Sequence, residues 1–281
     1  MIKSAKPQRA LDPEGADLAQ LAEGVFRRYG YDLRHFAGGY LRKRLDAAMR
    51  WEEIKTLGAF REKLLTSPEL MERLLMSLSG GPRAMFKEPA FHHFLRKEIL
   101  PFLRTYPFIR IWLPGCSNGP EVYAMAILLM EEGLYDRCRL YATDLSGEAV
   151  RKAKEGVYPL STVKKWAEAH HEAGGIAPLL DYVSVEGAKA IFLPSLRKNV
   201  VFAQHNLATD GSFNEFNLII CRNVLSTLDE SVRRRVHGLI HQSLAMFGYL
   251  ALGGRESPEA ESGLSWYKEV DAKQRLYRKV G

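Results

Sequence analysis

Apolar residues recur along the first third of the chain at the spacing of a helix face. Leu18, Leu21, Ala22, Val25, Phe26 and Tyr29 share one stripe, with Asp17 near its start and Gly30 just beyond its end. Phe36, Tyr40, Leu41, Leu45 and Met49 predict a second helix, whose basic residues Arg42, Lys43, Arg44 and Arg50 lie mainly off the apolar face. Ser67 followed by Pro68 reads as an N-cap with proline at the first helical position, opening a helix through Leu74, Leu75 and Met76. Ser79-Gly80-Gly81-Pro82 breaks the pattern, and a domain boundary is expected there.

Beyond that break the pattern changes. Short apolar runs at 109–113, 140–143, 200–203, 218–221 and 249–252 alternate with helical stretches at about 120–132, 146–155 and 230–246. Strands with consecutive apolar residues are buried on both faces, which predicts a parallel sheet covered by helices. Residues 265–270 and 275–278 are expected to close it as an antiparallel pair. The expected organisation is a flexible tail at 1–16, a helical domain at 17–78 and an α/β domain at 79–281.

Composition narrows the class without naming a function. The chain has 281 residues, 46% of them hydrophobic and 26% charged, as in a globular protein. Its apolar stretches are interrupted before the roughly eighteen residues that a membrane helix needs, and residues 1–15 lack an apolar signal core, so a cytoplasmic protein without membrane insertion is expected. Three scattered cysteines argue against a disulfide framework and a zinc site. The formal charge of +7 favours acidic partners, yet its wide spread does not single out nucleic acid.

The candidate chemistry lies at strand ends. The run through Trp112 and Leu113 ends in Pro114-Gly115-Cys116-Ser117-Asn118-Gly119, and Pro120 then opens a helix. Strand, tight turn and helix N-terminus form a cradle for a nucleotide-like cofactor. The next strand ends at Asp144, where an acidic side chain can accept hydrogen bonds from both hydroxyls of a ribose. The glycine spacing differs from the dinucleotide fingerprint, which favours an adenosyl group without a pyrophosphate. Other combinations are weaker. His237 and His241 share a helix face but lack a third ligand, the adjacent pairs His92-His93 and His170-His171 diverge, and Cys116 reads as a packed loop thiol, so no metal is expected.

Four ordered stretches carry a family resemblance: 115–123 (Gly-Cys-Ser-Asn-Gly-Pro-Glu-Val-Tyr), 142–145 (Ala-Thr-Asp-Leu), 205–207 (His-Asn-Leu) and 221–225 (Cys-Arg-Asn-Val-Leu). Over residues 17–281 the chain resembles the CheR-type chemotaxis receptor methyltransferases, most closely their non-classical members. The resemblance implies a Rossmann-like S-adenosylmethionine-dependent methyltransferase sheet with a small helical N-terminal domain, and a β-subdomain inserted at about 157–200. It implies esterification of glutamate side chains on a chemoreceptor or related signalling protein, with an acidic helical region as partner. By motif, Gly115, Ser117, Gly119 and Glu121 would surround the methionyl and ribose portions of S-adenosylmethionine or S-adenosylhomocysteine. Asp144 would take the ribose hydroxyls, Asn206 and Leu207 the adenine, and Arg222 with Asn223 the floor under the cofactor.

The departures from the family pattern also cluster at this site. Arg83 and Lys87 stand where the family has a threonine and an arginine, both expected to position the cofactor. Lysine keeps a charge for the cofactor carboxylate but lacks the planar two-donor fork of arginine. Pro120-Glu121 replaces a pair of acids, and Ser226-Thr227-Leu228 replaces an aromatic run. Two readings follow: an active protein-glutamate methyltransferase with an altered pocket, or a catalytically degenerate relative serving as scaffold or cofactor sensor.

Overall fold

The computed structural model describes residues 13–80, 84–258 and 266–281. Arg83, most of the expected tail and the start of the expected 265–270 strand lie outside the described residues. The chain divides into two compact units, one ending at Leu74 and the other beginning at Leu75.

The first unit is helical: α1 (Pro13–Tyr29), α2 (Gly38–Trp51), α3 (Leu57–Thr66) and the start of α4 (Pro68–Leu78). The centres of the apolar stripes are buried, with Leu21, Val25, Leu41, Leu45, Phe60 and Leu64 almost fully enclosed, whereas Phe26, expected on the α1 stripe, is exposed. The Tyr29 hydroxyl donates to Leu64 O at 2.9 Å, tying α1 to α3. Thr56 caps α3, a helix that the sequence pattern did not single out, by accepting from Ala59 N–H. Ser67 Oγ accepts from Leu70 N–H at 3.2 Å, so Pro68 does open a helix.

The second unit is built on a seven-stranded sheet of order β6-β2-β1-β7-β8-β10-β9. Its strands are β1 (Ile109–Pro114), β2 (Cys138–Asp144), β6 (Val200–Gln204), β7 (Phe216–Cys221), β8 (Leu244–Leu252), β9 (Tyr267–Asp271) and β10 (Leu276–Lys279). The first five are mutually parallel where they pair, while β10 runs antiparallel to β8 and β9. Helices α7 (Pro120–Glu131), α8 (Gly147–Glu155) and α10 (Glu230–Ser243) connect them. Seven consecutive residues of α7, Tyr123 to Leu129, are fully enclosed, which makes this helix the centre of the core.

Between α8 and β6 lies a smaller antiparallel sheet, β3 (Val157–Pro159), β5 (Lys189–Phe192) and β4 (Val183–Glu186). That segment also carries α9 (Leu160–Glu172), which the sequence pattern did not reveal. The helix expected to reach Met246 ends at Ser243, and the chain passes directly into β8. An apolar run such as Leu244-Ala245-Met246-Phe247 suits either period, and pairing with β7 decides it. Before β1 stand α5 (Pro89–Phe94), a π-helical turn at Leu95–Ile99 and α6 (Leu100–Leu103).

Candidate functional site

The C-terminal ends of β1, β2 and β6 bring the first group of expected residues together. At the end of β1, Ser117 adopts a left-handed backbone with φ 51°, and its N–H donates to Asp144 Oδ2 at 2.8 Å. Ser146 N–H and Ser79 Oγ donate to Asp144 Oδ1 at 3.0 and 2.5 Å. Asp144, only 2% exposed, is thus fixed by backbone donors on both sides and by a hydroxyl that the sequence did not single out. The turn is equally tight. Gly119 has φ 96°, and a Cβ there would stand 2.9 Å from Ala153 in α8, so the α7 N-terminus packs against α8 without room for a side chain.

Asn206 lies just beyond β6. Its Oδ1 accepts from Ala208 N–H at 3.0 Å, and its own N–H donates to Asp210 Oδ2 at 2.8 Å, giving a closed turn in which Asn206 and Leu207 are half-buried. Glu121 is half-buried in the first turn of α7, where a carboxylate complements the helix dipole. Lys87 is exposed and follows Phe86, which is buried with φ 51°. The Phe86 ring packs 5.0 Å from His92. Burial pushes the His92 imidazole down to about 4, so it is neutral and serves as core.

Arg222, expected under the cofactor, has partners within the fold. It is buried, its guanidinium lies 4.0 Å over the Phe91 ring, and it bonds Glu88 and the Gln274 carbonyl. These partners join the end of β7 to α5 and the β9–β10 turn, so Arg222 braces the framework. Asn223 is exposed with φ 58°. Its N–H donates to Glu256 Oε2 at 2.9 Å, as does Gly253 N–H at 2.7 Å, and Ser226 N–H reaches Glu256 Oε1 at 2.9 Å. Nothing in the local pattern singled out Glu256, which sits in a Gly-Gly-Arg-Glu-Ser-Pro loop yet is only 5% exposed.

An adenosyl cofactor fits this arrangement. Asp144 supplies a fixed carboxylate acceptor, the turn through Gly115 and Gly119 holds it at the start of α7, and Asn118 Oδ1 in that turn is buried without a hydrogen-bond partner. Among the described residues no group of three or more histidines, cysteines or acids gathers as a metal site, and no helix is long and apolar enough to cross a membrane.

Residues 83–273 match the family model described as CheR methyltransferase, SAM binding domain, and residues 16–79 match CheR methyltransferase, all-alpha domain. The chain belongs to the CheR methyltransferase family. It is 37% identical to the putative methyltransferase Cher3 of Pseudomonas putida, over 94% of this chain and 96% of that protein. It is 27% identical to a chemotaxis protein methyltransferase of Borreliella burgdorferi, over 89% of this chain and 91% of that one. Chemotaxis protein methyltransferase 1 of Pseudomonas aeruginosa is 28% identical, with 76% and 80% covered. This CheR-family protein is therefore a methyltransferase of the S-adenosylmethionine-dependent type, and these relatives favour the enzyme over a degenerate scaffold.

Proposed function

We propose that this CheR-family methyltransferase forms methyl esters on glutamate side chains of a chemoreceptor-type signalling protein, and that it does so in the cytoplasm. The observation that carries the reading is Asp144, a buried carboxylate that accepts from Ser79, Ser117 and Ser146 at the end of β2 beside the Gly115–Gly119 turn. Relatives named chemotaxis protein methyltransferases support the substrate class.

In this reading Asp144 accepts the ribose hydroxyls, Asn206 and Leu207 flank the adenine, and Gly115, Ser117, Gly119 and Glu121 enclose the ribose and methionyl portions. Asn223 lines the floor with its backbone, Arg222 braces that floor from behind, and Lys87 faces the cofactor carboxylate. S-adenosylmethionine supplies an electrophilic methyl group on a sulfonium. The acceptor glutamate is already ionised at neutral pH, so the protein need not remove a proton. What its residues must do is hold the two reactants in line and exclude water, and such positioning accounts for several kcal/mol of a barrier. An acidic helical segment would meet the exposed Arg42, Lys43 and Arg50 of α2.

The test is transfer of labelled methyl from S-adenosylmethionine to a soluble fragment of a chemoreceptor methylation region. The expected label is released as methanol by mild base, as an ester requires, and is lost in Asp144→Ala. Base-stable label, or no transfer by a protein that binds S-adenosylhomocysteine, would overturn the glutamate-ester reading.

A further inference from the structure

The loop after β7 is shaped by a side chain some thirty residues away in sequence. Glu256 is 5% exposed, and its two oxygens accept three backbone N–H groups, from Asn223, Ser226 and Gly253, at 2.7–2.9 Å. Its own N–H donates to Gly253 O at 2.9 Å, closing the loop on itself. Two of the three clamped groups belong to the segment that follows the end of β7. Asn223 there holds a left-handed backbone, a conformation that is uncommon for a residue other than glycine and persists where surroundings enforce it. The opposite side of the clamp is equally constrained. A Cβ on Gly253 would stand 2.7 Å from Asn223 N and 2.8 Å from both Asn223 Oδ1 and Glu256 Oε2, so glycine is needed for β8 to come this close.

We infer that Glu256 is a positioning residue for methyl transfer: its carboxylate sets the left-handed turn at Asn223 and so fixes the floor of the cofactor pocket. This rests on the reading above, in which Asn223 lines that floor. The chemistry of the clamp demands a carboxylate. Oε2 receives two N–H groups and Oε1 a third, so an amide in either orientation turns an NH2 against a backbone N–H and leaves a donor facing a donor.

The test uses the full chain and S-adenosylhomocysteine as probe, with calorimetry for affinity, amide hydrogen exchange for the loop and thermal unfolding without ligand for the fold. Glu256→Gln is expected to weaken S-adenosylhomocysteine binding roughly tenfold or more and to speed exchange at Asn223, Ser226 and Gly253 selectively. Exchange in β1 and α7 should stay as in the natural protein. Gly253→Ala, which pushes on the same turn from β8, should weaken binding with the carboxylate still present. Unchanged affinity in both variants, with the natural protein binding normally, would overturn the positioning role while leaving the cofactor reading intact. Faster exchange throughout the sheet would make Glu256 merely structural and also overturn it. A natural protein that binds no S-adenosylhomocysteine would overturn the cofactor reading and this inference together.

Discussion

At the scale of the residue, Asp144, proposed above to take the ribose hydroxyls, is a carboxylate held in place by its own neighbours. Ser117 N–H and Ser146 N–H come from the backbone of the turn and the next loop, and cannot leave without refolding them. Ser79 Oγ is a rotatable hydroxyl on the same carboxylate, so it is the donor that a ribose hydroxyl can replace. Opposite outcomes are therefore expected from the two side chains. Asp144→Ala removes charged acceptors and should weaken S-adenosylhomocysteine binding by roughly 2–4 kcal/mol. Ser79→Ala should leave binding unchanged or slightly tighter. Calorimetry on both variants decides it: a loss in Ser79→Ala as large as in Asp144→Ala would mean that the hydroxyl orients the carboxylate rather than standing in for ribose.

At the scale of the element, the π-helical turn at Leu95–Ile99 has a chemical cause and a structural consequence. Pro101 lacks an N–H and its ring would press on the carbonyl four residues earlier, and the wider turn, in which Leu100 N–H reaches back to Leu95 O, relieves that clash. The same turn delivers Arg96 to Glu131 at the end of α7, with nitrogen and oxygen 2.6 Å apart. Glu131 also receives Tyr182 OH and the N–H groups of Ile176 and Ala177, and His170 Nε2 of α9 lies 3.3 Å away. Burial alone would raise this carboxyl, but His170, Arg96 and the two backbone donors outweigh it and hold it at about 2. A depressed carboxyl stabilises the folded chain above its ordinary range near 4.5, and that contribution is lost as pH falls from there towards 2. Glu131→Gln is expected to cost roughly 1–3 kcal/mol near neutrality, because the buried Arg96 keeps Glu132 at 2.8 Å but loses the charge of its other carboxylate, and the same change should flatten this acid limb. Urea unfolding across the pH range measures both, and parallel curves for the two proteins would exclude the assignment.

That network also marks where the sequence stops being legible. β1, β2, β7 and α7 announce themselves because buried parallel strands and their covering helix are nearly all apolar, and the Gly115–Gly119 turn and Asp144 follow from their ends. α9 and the α5–α6 segment do not. Their faces carry Arg96 and His170, buried polar residues whose partner Glu131 is distant in sequence, so the apolar period is broken where the structure gathers polar groups. Glu256 was obscure for the same reason, and Arg222, though expected from its motif, finds partners that the sequence does not show: only the folded chain brings Glu88, Gln274 and Asn223 to them.

At the scale of the whole molecule, the formal charge of +7 would steer the acidic partner proposed above. The structure refines which groups contribute. On α2, Arg44 lies 4.9 Å over the Tyr40 ring and Arg42 pairs with Asp46 at 2.9 Å, whereas Lys43 and Arg50 are exposed alongside Arg42. A stacked, partly enclosed guanidinium contributes mainly to packing, so charge reversal at Arg44 would damage α2 rather than report on docking. Lys43→Glu with Arg50→Glu is the cleaner change. It shifts the formal charge by four, to about +3, without touching the buried stripe of α2 or the residues around Asp144. The expected result is slower association with an acidic receptor fragment, and a smaller difference as salt rises from about 50 to 500 mM and the screening length falls well below about 10 Å. S-adenosylhomocysteine affinity should not move in the same variant. Stopped-flow association at the two salt concentrations tests this, and equal rates for the natural and reversed proteins at low salt would show that the α2 charges do not steer the partner.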